Sequence, residues 1–261
     1  MRRRASLAFL FCFATTLLLR AAPPLPESGV PFRRGEIHID GKAGDSGWEN
    51  AVPLRIDSSP LDRENSADVP FTEVRLAYDD TMLYVAFFCL DHDIRCSGTK
   101  RDDPLHTGDV VEIFLDVSGD FRRIWEVQFN ASGLVRDVEY LFGGGETLFD
   151  ADGLWVEMNQ IHEYPGRDFP GIRHAAGFLH DSSGEETGWL IEAAFPRKAF
   201  VSERVPSEIR VNFVRYDYSG VSREPLMAFW SSTVAGRPHR SPGRMGRLKF
   251  QPPRPEISKQ R

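Results

Sequence analysis

The sequence predicts an all-β fold, an antiparallel β-sandwich of jelly-roll-like type in a single domain. Three observations carry this. Short apolar runs of strand length recur along the chain, turn signals separate them, and no long stretch keeps a helical apolar period. Regular spacing of such runs is the pattern of a sandwich. No internal repeat is visible.

The first 22 residues read as a leader rather than as part of that fold. "MRRR" is a positively charged start, Leu7–Leu19 is a 13-residue apolar stretch, and "RAAPPLP" supplies small residues for cleavage near Ala21 or Ala22. This is the layout of a secretory signal peptide, and the apolar run is short for a membrane-spanning helix. An uncleaved N-terminal anchor is the plainer alternative. The expected organisation is therefore a signal peptide over 1–22, a proline-bearing lead-in over 23–34, one domain over 35–250 and a loose tail over 251–261.

Strands are expected at Glu73–Asp79, Leu83–Leu90, Asp109–Asp116, Ile124–Asn130, Trp189–Phe195, Ile209–Asp217 and Gly246–Phe250. Turns fit between them at Asp79–Thr81, Ser118–Asp120 and Ala131–Gly133. Two strands alternate cleanly. Val111, Ile113 and Leu115 share one face of the first, and Trp125, Val127 and Phe129 share one face of the second. Period-two alternation sends these into the core. The opposite face then carries Glu112, Phe114 and Asp116 beside Glu126, Gln128 and Asn130. Such a face is either simply solvated or suited to a polyhydroxylated ligand, whose hydroxyls both donate and accept. Trp48, Trp189 and Trp230 read as core or rim packing.

Charge narrows the partners. Without Arg2, Arg3, Arg4 and Arg20, 28 basic side chains face 38 acidic ones, a formal charge of −10. A nucleic-acid binder shows the opposite sign or a basic stripe, so no nucleic acid is expected as partner. Once the leader is removed, no membrane span is expected either.

Export would leave two cysteines, Cys89 and Cys96, and an even pair in an oxidising compartment invites a disulfide. Cys89 also continues the apolar run "LYVAFFC", where it would simply be core. Loop aspartates (Asp91, Asp93, Asp102, Asp103, Asp116 and Asp120) are hard oxygen ligands that suit a structural calcium ion, although none has EF-hand spacing. The seven histidines form no HxH or HExxH motif, and no CxxCH is present to attach haem covalently. Met158, Met227 and Met245 leave a non-covalent haem open. No nucleophile elbow or phosphate-binding loop is recognisable, and the glycine-rich "FGGGE" at Phe142–Glu146 reads as a flexible connection. Paired carboxylates of a glycoside hydrolase are always nominable among 38 acidic residues.

Six segments, taken in order, resemble the carbohydrate-binding module family 9-like domain, a secreted bacterial β-sandwich. They are Ile39–Ala51, Thr72–Ile94, Gly108–Asp116, Trp189–Phe200, Arg210–Asp217 and the ending "FWSS…RPHRSPGRMGRLKF". The match runs from about Gly35 to Phe250. The resemblance implies a non-catalytic module that binds sugar chains in a slot between two aromatic side chains and assists polysaccharide breakdown. A pyranose has apolar C–H faces for ring stacking and rim hydroxyls for hydrogen bonds.

Aligned on "GDVVEIF" and "MGRLKF", the two slot positions fall to His106 and His239; sugar-clamping members carry tryptophan at the first. Glu112 stands where the family places a hydrogen-bonding carboxylate. His106 and His239 are thus the expected slot walls, with Glu112, Gln128 and Arg240 as hydroxyl partners. The histidines have two other readings, as ordinary loop residues or as two imidazoles facing a transition metal or a haem edge. A small glycoside hydrolase and a haem- or metal-binding sandwich of electron-transfer type remain the alternative functions.

Overall fold

A computed structural model describes residues 23–42, 44, 46–48, 51–60, 70–116, 118–142, 161–200, 206–218, 224–233, 239 and 241–253. The leader lies outside these residues, as do Arg240, Met158 and the glycine-rich stretch beyond Phe142.

Thirteen strands are found among the described residues: β1 (Glu27–Val30), β2 (Val52–Arg55), β3 (Thr72–Tyr78), β4 (Met82–Leu90), β5 (Val110–Asp116), β6 (Arg123–Phe129), β7 (Val135–Phe142), β8 (Ile161–Pro165), β9 (Arg173–His180), β10 (Glu186–Pro196), β11 (Glu208–Asp217), β12 (Leu226–Phe229) and β13 (Gly246–Phe250). They form two sheets. One runs β1-β13-β11-β5-β6-β7-β8, with β12 also paired to β11, and the other runs β2-β3-β4-β10-β9. All pairings are antiparallel except β1 with β13.

That parallel pair corrects the expected domain boundary. The lead-in segment supplies a strand of the larger sheet, and Gln251 of the expected loose tail donates its backbone N–H to Val30 at 2.9 Å.

The core lies between the sheets and follows the period-two pattern. Val111, Ile113 and Leu115 from β5 and Trp125, Val127 and Phe129 from β6 meet Val85, Phe87, Trp189 and Ile191 from the other sheet. Trp230 packs against the same core, so Trp125, Trp189 and Trp230 are all architectural. Trp48 packs instead on the outer face of the smaller sheet beside Ile37, Tyr84 and Ala86, and donates Nε1–H to Glu192 Oε1 at 2.7 Å. The segment that brings Trp48 there crosses β9 at Gly41 (φ 76°), where a Cβ would stand 2.2 Å from the Ala176 carbonyl oxygen.

Turn chemistry fixes the hairpins. Asp79 Oδ1 accepts the backbone N–H groups of Thr81 and Met82, both at 2.7 Å, closing the β3–β4 turn. Asn130 does the same between β6 and β7, its Oδ1 accepting Leu134 N–H at 3.1 Å while Gly133 takes φ 76°.

Of the two readings of the cysteine pair, the structure shows no disulfide: both cysteines are free. Cys89 points into the core, whereas Cys96 is exposed on the loop after β4.

Candidate functional site

Three neighbouring strands of the larger sheet place polar side chains on its outer face. Glu112 of β5 stands opposite Gln128 of β6, and Gln128 stands opposite Arg136 of β7. Four positions further along, Ile124 of β6 stands opposite Tyr140 of β7. Because successive side chains alternate across a strand, Glu126 and Gln128 project to the same side as Glu112.

These groups bond to one another. Gln128 Nε2 donates to Glu112 Oε1 at 2.9 Å and also to Glu126 Oε1. Tyr140 donates its hydroxyl to Glu126 Oε2 at 2.6 Å, and Arg136 Nη1 lies 3.9 Å from Glu126 Oε1. Glu126 is thereby held by two hydrogen-bond donors and an ion pair, whereas Glu112 has Gln128 alone.

The face is not solvated. Glu112 and Gln128 are each 2% exposed and Glu126 is 4% exposed. Apolar side chains on the same face, including Phe114, Phe142, Phe229 and Met245, form a second buried cluster around them. Sequestration has an electrostatic consequence. Burial, reinforced by the adjacent Glu126 carboxylate, pushes Glu112 well above the usual carboxylate range, against smaller opposing pulls from Arg136 and Gln128. The Tyr140 hydroxyl is raised as well, by burial and by Glu126, so it stays a donor.

Both histidines border this floor. His106 sits in a 3-10 turn, Leu105–Thr107, anchored by the buried Leu105 and by Tyr218, whose hydroxyl donates to the His106 carbonyl at 2.9 Å. Its imidazole is held below the usual histidine range by partial desolvation and by Arg136, with Glu126 pulling the other way. His239 is half-buried and stacks on the Tyr140 ring, with centroids 5.4 Å apart and planes 9° from parallel. His106, Glu112, Gln128 and His239 are thus gathered at one face. Arg240 lies outside the described residues.

Sequence reasoning passed over Arg136 and Tyr140 because β7 was not recognised as a strand. The signal was present. The turn at Ala131–Gly133 predicts a hairpin, and "VRDVEYLF" places Arg136, Val138 and Tyr140 on one face of its second arm.

The loop aspartates are mostly spent on local structure. Asp116 accepts Gly119 N–H at 2.8 Å and Phe121 N–H at 3.0 Å, Asp103 accepts Thr99 N–H at 2.8 Å, and Asp93 pairs with Arg95. Asp91 joins Asp109 and Asp217 in a buried group, which is the only metal-ligating cluster of three among the described residues. A cation already occupies part of it. The buried Arg215 guanidinium donates from Nη2 to Asp91 Oδ2 at 2.6 Å and to Asp217 Oδ2 at 2.8 Å. Asp109 is tied to the backbone N–H groups of Tyr218 and Arg95. Met227 and Met245 pack in the apolar cluster of the outer face.

Residues 39–136 match the family model for "Carbohydrate family 9 binding domain-like". Over that span the chain is similar to a family 9-like domain. Its fold is also that of solved structures at low identity. A carbohydrate-binding module family 9 from Caldicellulosiruptor kristjanssonii in complex with cellotriose aligns with TM-score 0.58 and 16% identity, over 89% of this chain and 97% of that one. A module of the same family and organism in complex with glucose gives 0.55 and 17%, over 89% and 100%. A Bacteroides uniformis protein provisionally named carbohydrate-binding gives 0.62 and 15%, over 87% and 100%. No curated protein sequence matches the chain.

Proposed function

We propose that this chain is an exported, non-catalytic carbohydrate-binding protein that takes a glycan at the outer face of its larger sheet. His106 and His239 serve as the side walls, and Glu112, Gln128 and Arg240 bind hydroxyls. The observation that carries this reading is the convergence of two ring-bearing loop residues on a buried, amide-bridged carboxylate pair. Rings supply a surface for the C–H faces of a sugar, and the polar floor supplies directional partners for its rim. The family 9-like match and neighbours solved with cellotriose and glucose support the same ligand class. Export rests on the leader-like sequence of Met1–Ala22.

We read the Glu112 and Glu126 pair as a binding floor rather than as a hydrolytic pair. Glu112 and Glu126 stand side by side on adjacent strands of one floor and share a single amide nitrogen. A glycoside hydrolase instead flanks the scissile bond with its two carboxyl groups. The role that follows is accessory: holding sugar chains for enzymes on other polypeptides that degrade them.

The test is a glycan array probed with wild type and with His106→Ala/His239→Ala. The reading expects glycan binding that the double substitution weakens on every positive spot. Binding that the substitution leaves untouched removes the histidines from the site, and a blank array removes the function.

A further inference from the structure

Glu112 and Gln128 are left short of donors in a way that the rest of the floor is not. Gln128 spends both amide protons, one on Glu112 and one on Glu126, and its carbonyl oxygen Oε1 is buried without any hydrogen-bond partner. Glu112 has a single hydrogen-bond partner, Gln128, although it is 2% exposed. Buried acceptors of this kind cost free energy until a donor reaches them. The titratable groups facing them are Glu126 on β6, Arg136 on β7 and Tyr216 on β11; Glu126 and Arg136 balance, so the floor gains one net negative charge when Glu112 ionises. Tyr140 on β7 is committed to Glu126.

A ligand group that answers this floor must bring several donors, no acceptor and a positive charge. An ammonium group has three donors and no acceptor. A hydroxyl brings one donor and asks for one in return, and a carboxylate brings none and is repelled. We infer that the site prefers a glycan end bearing a free amino group, an amino sugar, over neutral and acidic sugars. This rests on the glycan-binding reading of the same site and narrows its ligand class.

The preference has a chemical signature. Burial favours the protonated carboxyl of Glu112 in the unliganded protein. Seating an ammonium beside it expels that proton: Glu112–COOH and R–NH3+ become Glu112–COO− paired with R–NH3+, with H+ passing to the buffer. Binding an amino sugar therefore releases a proton, and binding a neutral sugar does not.

Isothermal titration of the full chain with glucosamine, N-acetylglucosamine, glucose and glucuronate, in two buffers of different ionisation heat, tests this. Glucosamine is expected to bind about tenfold more tightly than glucose, as one charge-assisted hydrogen bond would give. It alone should show a buffer-dependent heat. Acetylation should abolish both features, and Glu112→Gln should bring the glucosamine-to-glucose affinity ratio close to one. Glucose binding as tightly as glucosamine, or glucosamine binding without proton release, overturns the amino-sugar preference while the glycan reading stands. If an ordered water fills the gap, the four affinities follow stacking alone and the preference is again overturned. Failure of all four sugars and of every glycan on the array overturns the underlying reading instead. The wild-type buffer comparison decides the matter even if Glu112→Gln does not fold.

Discussion

The imidazole of His239 lies parallel to the phenol ring of Tyr140, 5.4 Å between centroids, while the Tyr140 hydroxyl is bound to Glu126. One tyrosine thus joins a loop histidine to the carboxylate floor. A lone histidine on a proline-bearing loop would be a poor wall for a ligand, because ordering it would cost conformational entropy on each binding event. Stacked on a ring that is itself pinned by a hydrogen bond, it is placed in advance.

If His239 provides stacking surface, His239→Ala should weaken glycan binding by roughly two- to tenfold, the range expected of one aromatic contact worth about 0.5–1.5 kcal/mol. His239→Trp should strengthen it by enlarging that surface. Titration calorimetry with a glycan that scores on the array checks both; unchanged affinity in either variant contradicts a stacking role.

Glu112 should make the fold sensitive to pH in a definite direction. Its carboxyl is raised in the folded state, so the folded protein holds this proton more tightly than the unfolded chain does. The stability this provides is complete below the ordinary glutamate pKa and is lost as pH rises toward the raised value. Asp137, which burial pushes up to about 6, acts with the same sign between its ordinary range and pH 6. Urea denaturation should therefore show these two carboxyls withdrawing stability from wild type as pH rises from the ordinary carboxylate range through about 6 and beyond. Glu112→Gln should lose less, so that the variant gains on wild type as pH rises. A constant difference across that interval would remove Glu112 as the source.

Arg215 is the cation of a buried acidic group, and removing it leaves Asp91 and Asp217 facing each other without compensation. Arg215→Leu should cost about 3–5 kcal/mol of unfolding free energy. Chemical denaturation measures it, and a loss below about 1 kcal/mol would show that the pair contributes little beyond what packing replaces.

The two cysteines should differ in reactivity. Cys96 is exposed, whereas Cys89 is buried in the core and its thiol is pushed up to about 12. Iodoacetamide should modify Cys96 in the native protein and Cys89 only after unfolding, as peptide mass spectrometry would show. A native protein in which neither thiol reacts until a reductant is added would instead indicate the bridge.

Much of the fold was legible because both faces of a sandwich strand leave a mark. β3, β4, β5, β6, β10, β11 and β13 all fall within one to three residues of their sequence-derived bounds, and Trp125 lies on the core face that alternation assigned to it. Apart from β7, the strands that escaped notice were those with short, weak or polar patterns. β1, β2 and β12 have four residues each, β8 ("IHEYP") is largely exposed, and β9 ("RHAAGFLH") is half-buried at best. Short edge strands draw their stability from neighbours rather than from their own apolar content, so local pattern carries little of the information.

At the site, alternation and the family resemblance together put Glu112 and Gln128 on one face. What they could not supply was depth. An outward polar face reads as solvated until the residues that cover it are known, and Phe229 and Met245 arrive from more than a hundred positions away in sequence.

The central claim is that a glycan occupies the face bordered by His106 and His239. Imidazole resonances of the seven histidines, followed by NMR while a glycan that scores on the array is titrated in, test it most directly. The account predicts that the His106 and His239 signals move together with a common saturation point while the other five stay in place. Saturable glycan binding that leaves both of those signals unmoved would contradict it.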